Sequence, residues 1–408
     1  MRSVDEHLRL ALEGITPLEP LDQKLVEAQG CLLAEDVVAP WPLPSFDNSS
    51  MDGYAVRVAD VAGASKEAPV ELTVVDDVPA GYRATERVRS GAAIRIMTGA
   101  PLPEGAEAVV PVEQTDGGTQ RVRISAPAAE GAYIRRSGED VQAGDVVMTA
   151  GQVLGPRQLA LLAAVGRGRA LVRPRPRVVV LSTGSELVEA GAALSPGLIP
   201  DSNGVMLAVA AQAAGADAFR AGPVRDDEAL LLDTLEDQLV RADLVVTSGG
   251  VSAGAYDTVK AVLQRLGTVE FVKVAMQPGM PQGFGRLGPD ETPIFTLPGN
   301  PVSAYVSFEV FVRPVIRRML GFARVHRPTV TAEVLEPFTS PLGKTQFARG
   351  RLSMGDGGYT VRPVGGQGSH ILGGLARADC LIVVPPETTE VAAGDLMTVL
   401  DLESDVEE

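Results

Sequence analysis

Three short, continuously apolar runs constrain this chain most: "RVVVLS" (177–182), "ADLVVTS" (242–248) and "PIFTL" (293–297). A strand with one wet face alternates apolar and polar residues. A strand covered on both faces does not, so runs like these belong inside a parallel sheet. Helical stretches separate them. "GVMLAVAAQAAG" follows Asp201-Ser202-Asn203 and stops at Gly215; "TVKAVLQRLG" follows Asp257 and stops at Gly267. Strand and helix in alternation predict a doubly wound α/β domain over 177–324.

The flanking segments read differently. Ser3 and Glu6 form a capping-box pattern for a helix over about residues 4–13, ended by Gly14. Pro156 opens another helix and Gly166 closes it. These segments, 1–43 and 146–176, are read as one discontinuous helical and linker domain. Between them, residues 44–145 carry short alternating runs ("VELTVVD", "AAIRIM", "QRVRIS") split by Gly, Pro and Asp, which predicts an inserted mostly-β domain. Short strands return over 325–408 ("TVTAEVL", "YTVRPV", "CLIVVP", "MTVLDL") as a small barrel-like β domain. "GRGRALVRPRPR" holds five arginines between Arg167 and Arg177. Its prolines favour a solvated linker or edge strand over a phosphate patch. Trp41 reads as a packing anchor.

Bulk properties narrow the function. The 408 residues allow about two to four domains. A net charge of −16 opposes nucleic-acid and anionic-membrane partners, since both require a basic surface. No apolar stretch reaches the ~18 residues of a membrane span. The two cysteines, Cys31 and Cys380, have no metal-like spacing and suit a reducing compartment. The first residues do not read as a signal peptide. The expectation is a cytoplasmic protein.

The chemistry is expected where the α/β strands end. "STGSEL" (182–187), "SGGVSAGAYD" (248–257) and "LPGNPVS" (297–303) each follow a buried strand and precede a helix. Open α/β sheets bind ligands at that edge. Gly, Ser and Thr let backbone N–H groups approach an anion, so Thr183, Gly184, Ser248, Gly249, Gly250, Ser252, Pro298, Gly299, Asn300 and Pro301 are candidate contacts for a phosphorylated ligand. Locally, "LPGNPVS" is also a plain strand-to-helix corner: Pro298-Gly299 turns, Asn300 caps and Pro301 starts the helix. Neither the P-loop nor the G-x-G-x-x-G spacing occurs. Glu186, Asp226 and Asp257 lie beside these loops, and Asp52 and Asp140 lie in distinctive turns upstream. Hard oxygen ligands beside a phosphate site point to Mg²⁺, against the alternative that each acid serves as a cap or turn residue.

Read in order, "PSFDNSSMDGYAV", "IMTGAPLPEGAEAVVPVE", "GEDVQAGDVV", "LSTGSEL", "IPDSNGVML", "VTSGGVSAGAYD", "KVAMQPGMPQGFG" and "LPGNPVSA" resemble the molybdopterin molybdenumtransferase family, which includes the gephyrin E domain. The resemblance covers nearly the whole chain. It implies an enzyme of molybdenum cofactor biosynthesis that takes adenylylated molybdopterin and molybdate, uses Mg²⁺, inserts molybdenum into the dithiolene and releases AMP. It also implies an elongated four-domain subunit and a homodimer whose cleft lies between the α/β domain of one copy and the β domain of the other. Other enzymes of the pathway are implied partners. Carried over by motif, Asp52, Thr98 and Asp140 come from the β domain, and Glu186, Asp226, Asp257 and Lys273 from the α/β domain. Arg349 in "QFARG" and Ser369 in "QGSH" join Lys273 as candidate molybdate contacts.

The chain departs from the family pattern twice. Gln277-Pro278-Gly279-Met280 stands where Lys-Pro-Gly-Lys is frequent, removing two cations, each worth about 1 kcal/mol to a nearby anion even in a water-like dielectric. Ser185 stands where Asp is frequent. Two rival readings remain: a non-catalytic scaffold of the same fold that binds molybdopterin or a peptide, and a molybdopterin adenylyltransferase.

Overall fold

The computed structural model describes residues 1–250 and 256–404, without the side chains of Tyr256 and Asp257. Ser252 and the Asp257 carboxylate lie outside the described residues and atoms. The chain forms two compact units: Met1–Asp22, Gly30–Ala34 and Leu171–Glu408 in one, Gln23–Gln29 and Glu35–Ala170 in the other.

The larger unit is built on a six-stranded sheet. Its elements run β1 (Arg177–Thr183), α1 (Ser202–Ala213), β2 (Asp217–Val224), α2 (Glu228–Leu239), β3 (Leu244–Ser248), α3 (Tyr256–Leu266), β4 (Gly267–Lys273), β5 (Pro281–Leu287), β6 (Thr292–Leu297) and α4 (Pro301–Ser307). The strand order is β2-β1-β3-β6-β5-β4. The first four strands are parallel, as the apolar runs predict. Val178, Val180, Val246 and Phe295 enter one hydrophobic cluster; Val179, Leu181, Val245 and Ile294 enter another. Both faces are covered, which is why these runs lack alternation. The far end differs from a purely parallel sheet, because β5 runs antiparallel to both β4 and β6. This hairpin is hard to see in "FVKVAMQPGMPQGFG", where glycines replace strand-forming side chains.

The N-terminal helix, Val4–Leu12, opens as expected: Ser3 Oγ accepts from the Glu6 N–H at 3.1 Å. Its Ala11 joins the main core. After α4 the helix widens through a π segment, Phe308–Val312, before an α-helical end at Arg313–Met319. At the C-terminal end of the unit, Thr329–Val334, Thr345–Gly355, Gly358–Pro363, Cys380–Val384 and Leu396–Asp401 pair in a ring, closed by the pairing of Thr345–Gly355 with Cys380–Val384. Met276–Gln277 adds in parallel to Thr345 and Gln346.

The smaller unit carries a five-stranded sheet in the order Ala108–Pro111, Gly53–Val56, Ala92–Ile96, Val70–Val78, Arg121–Ile124. Trp41 is an anchor here. Its Nε1 donates to Ala164 O, and a Cβ on Gly166 would sit 2.1 Å from its ring. The arginine-rich stretch is not an edge strand. Arg169–Arg173 is the middle strand of a three-stranded sheet, with Ala170 and Val172 buried and Pro174 just outside it. Arg167, Arg173, Arg175 and Arg177 are each engaged, by Glu35, the Leu18 carbonyl, Asp217 and Asp243.

Candidate active site

The loops after β1, β3 and β6 meet at the carboxyl edge of the parallel strands around a pocket of about 350 Å³. Thr183, Gly184, Glu186, Ser248, Gly249, Gly250, Gly299 and Pro301 line it, with Asp226 from the end of β2 and Asp201 and Asn203 from the start of α1. Backbone approach is close. Gly249 has φ +97°, and a Cβ there would meet the Thr183 carbonyl at 2.4 Å, so only glycine fits. Gly299 lies beside it, where a Cβ would stand 3.7 Å from Gly249 Cα, an ordinary contact.

The side chains divide into braces and free ligands. Asp201 is 1% exposed and caps α1, accepting from the Gly204 N–H and Ser182 Oγ, both at 2.8 Å, and from Arg220 at 3.1 Å. Asn203 Nδ2 donates to Ser248 Oγ and Gly299 O, both at 2.7 Å, and so ties the second loop to the third. Ser248 Oγ in turn donates to Pro298 O at 3.5 Å, and Thr183 Oγ1 donates to Ser248 O at 3.5 Å. Thr183 and Ser248 thus fasten the loops together, and their hydroxyls are already engaged.

Among the described residues, the Glu186 and Asp226 carboxylates are the two in this pocket without a cation partner. Asp226 Oδ2 accepts from the Ser185 N–H at 3.3 Å, while the Asp226 N–H donates to Ser185 Oγ at 3.2 Å. Ser185 therefore supports Asp226 without adding a charge. Asp226 Oδ1 is buried and has no partner among the described residues. The Glu186 carboxylate would lie 2.6 Å from a Cβ at Gly184. Among the described residues no three acidic, histidine or cysteine side chains converge as a metal cage. Two carboxylates on one pocket still fit Mg²⁺, which takes its remaining ligands from water and substrate phosphate. The fit has an electrostatic reason as well: a phosphorylated ligand would otherwise face two like charges.

Other candidates fall elsewhere. Asn300 occupies the N-cap position of α4 but makes no side-chain cap; its amide donates to Ser369 Oγ at 3.1 Å. The Val302 N–H donates to Ser369 O at 3.1 Å, so a loop of the C-terminal ring fills this helix end and the expected anion cradle at "LPGNPVS" is partly occupied by protein. Arg349 is 0% exposed. Its guanidinium donates to the carbonyls of Gly366, Gly368 and Ile371, and burial lowers its pKa. It holds the loop that carries Ser369 and presents no cation to solvent. Lys273 is exposed at the end of β4, outside the pocket lining. Gln277 and Met280 are both half-buried.

In the smaller unit, Asp52 Oδ1 accepts from the Thr98 N–H at 2.7 Å and Thr98 Oγ1 at 2.8 Å. The backbone bond, then the hydroxyl, holds the Asp52 carboxyl below the usual range. Asp140 is exposed, with its N–H on Leu43 O at 3.0 Å.

Comparison with known proteins settles the family. Residues 2–166 match the MoeA N-terminal region (domain I and II), 179–318 a probable molybdopterin binding domain, and 331–402 the MoeA C-terminal region (domain IV). Molybdopterin molybdenumtransferase 2 of Mycobacterium tuberculosis is 50% identical over 408 residues, spanning 98% of this chain and 100% of the relative. This chain belongs to the molybdopterin molybdenumtransferase family. A Haemophilus influenzae family member is 38% identical over 405 residues, covering 98% of both chains. Crystal structures of a molybdopterin biosynthesis moeA protein from Pyrococcus horikoshii match with TM-scores of 0.76 and 0.71, at 31% and 30% identity and at least 98% coverage of each chain.

Sequence reasoning missed the two residues that brace the pocket from the start of α1, Asp201 and Asn203. Both were legible as the opening of α1. Nothing in a linear reading shows that Asn203 reaches sideways to two other loops.

Proposed function

We propose that this protein inserts molybdenum from molybdate into adenylylated molybdopterin and releases AMP. The observation carrying the proposal is the convergence, among the described residues, of three braced loops and two carboxylates without a cation partner on one pocket at the carboxyl edge of the sheet. The Gly249 and Gly299 backbones, held by Asn203 and Ser248, would lie against the substrate phosphate. Glu186 and Asp226 would hold Mg²⁺, with Asp257 as the third ligand that the family motif assigns. Bound there, Mg²⁺ would polarise the phosphoanhydride and offset the charge on departing AMP. No protein nucleophile is needed, because a molybdate oxygen can attack phosphorus.

The expected assembly is a homodimer in the cytoplasm, where the buried, unbridged Cys31 and Cys380 stay reduced. Asp52, Thr98 and Asp140 are assigned to the half-site that each copy offers its partner. Enzymes that supply the adenylylated substrate or accept the product are the candidate partners.

Two measurements test this. AMP release from adenylylated molybdopterin should require both molybdate and Mg²⁺, and Asp226→Asn should lower it at least ~100-fold with far-UV circular dichroism unchanged. Tight ligand binding without AMP release would leave the scaffold reading; ATP consumption with molybdopterin would leave the adenylyltransferase reading. Mixing inactive Asp52→Ala and Asp226→Ala chains should restore about a quarter of wild-type activity through random exchange between two-fold dimers. No recovery despite demonstrated exchange would refute the shared site.

A further inference from the structure

We infer that Leu187 and Ile199 form a ring-binding wall in the pocket: their side chains pack against the flat face of an N-heteroaromatic ring whose attached phosphate lies on the glycine loops. This deepens the transferase reading and takes from it only the choice of ligands to try.

Leu187 and Ile199 are direct register partners in a short parallel ladder that pairs Leu187–Val188 with Ile199–Pro200. Backbone bonds hold it: the Ile199 N–H donates to Glu186 O at 2.9 Å and the Asp201 N–H to Val188 O at 2.8 Å. Successive side chains of a strand leave on opposite sides, so register partners leave on the same one. Leu187 and Ile199 both line the pocket, whereas Val188, one step along, does not. The face that carries the pair is therefore the one turned to the cavity. Pro200 extends the wall as the chain turns into α1.

Both side chains are open to a ligand: Ile199 is 53% exposed and Leu187 half-buried. A lone apolar residue in water is ordinary and needs no function. Two side by side on a cavity wall are different, because a ligand's apolar face would take both out of water at once. Glycine, proline and polar residues make up the rest of the described lining. A ligand that meets both parts is anionic at one end and apolar over a small area at the other. Two side chains in a cavity of about 350 Å³ suit one flat ring rather than a long acyl chain. In adenylylated molybdopterin that ring is the adenine or the pterin.

Calorimetry on the intact protein tests this with three probes: AMP, ribose 5-phosphate, which lacks only the base, and pterin. With adenine on the wall, the wild type should bind AMP roughly tenfold or more tightly than ribose 5-phosphate; with pterin on the wall, it should bind pterin. Ile199→Ala keeps the ladder, whose bonds are all backbone. It should weaken the ring ligand that uses the wall about tenfold and leave ribose 5-phosphate within about twofold. An equal loss for AMP and ribose 5-phosphate would mean that the loop had moved, and overturns the inference. Unchanged affinity for both ring ligands overturns it too. So does a wild type that binds AMP no better than ribose 5-phosphate and pterin not at all, an arm that needs no variant. A selective loss of ring binding in a protein unable to release AMP would sink the transferase reading and leave this one standing.

Discussion

His7 is 1% exposed, its ring edge-on to Phe311 at 4.8 Å and Phe284 at 6.5 Å between centroids, and its Nε2 has no partner among the described residues. Burial first, and the Arg2 guanidinium second, lower its pKa to about 4, against a small opposing pull from Glu270. The folded value lies below the ordinary 6.5, so the unfolded chain takes up the proton first. The stability due to neutral His7 is complete above pH 6.5 and is lost as pH falls toward 4, by up to about 3 kcal/mol. Urea unfolding at about pH 4.5 and pH 7 should show this loss in the wild type and a smaller one in His7→Leu. Gly249→Ala would put a methyl 2.4 Å from the Thr183 carbonyl at φ +97°. It should displace the loop and weaken AMP binding at least ~10-fold, at a cost of about 1–3 kcal/mol in stability. At this scale the glycines were legible because a left-handed turn leaves a compositional mark. Asn203 was hidden because its partners are 45 and 96 residues away in sequence.

The parallel strands could be read because burial on both faces writes itself as an unbroken apolar run. The β4–β5 hairpin could not, since its glycines answer to close backbone approach: a Cβ on Gly285 would strike Thr268 O at 2.0 Å. Arg169–Arg173 misled for the opposite reason. Its arginines point outward while small apolar residues between them fill the middle of a sheet. The loop over Gly366–Ile371 has no regular pattern and is organised from within by Arg349. Arg349→Met should therefore leave three carbonyls without their donor and cost about 3–5 kcal/mol. Thermal unfolding would measure the loss, and faster hydrogen exchange at Ser369 and Val302 would locate it. A stability change below ~1 kcal/mol would mean that the loop holds itself.

At the scale of the molecule, the net charge of −16 opposes compaction through self-repulsion. Raising NaCl from about 0.02 to 0.3 M should raise Tm by a few degrees through screening, and a fall in Tm would contradict it. The succession of a β region, an α/β region and a second β region was legible from the period of the apolar residues. The division into two units was not, because the chain passes between them at residues 22–23, 29–30, 34–35 and 170–171 without any change in composition. Synthesis runs against the order of packing. The Val4–Leu12 helix packs on the segment Phe308–Met319, about 300 residues later in the chain. At ~5–20 residues per second the ribosome needs roughly 15–60 s to deliver that partner. Ala11 and Ile15, core residues of the finished protein, must wait that long uncovered. The first segment made is among the last to dock, and a nascent chain halted before residue 308 should bind chaperones through its own N-terminus.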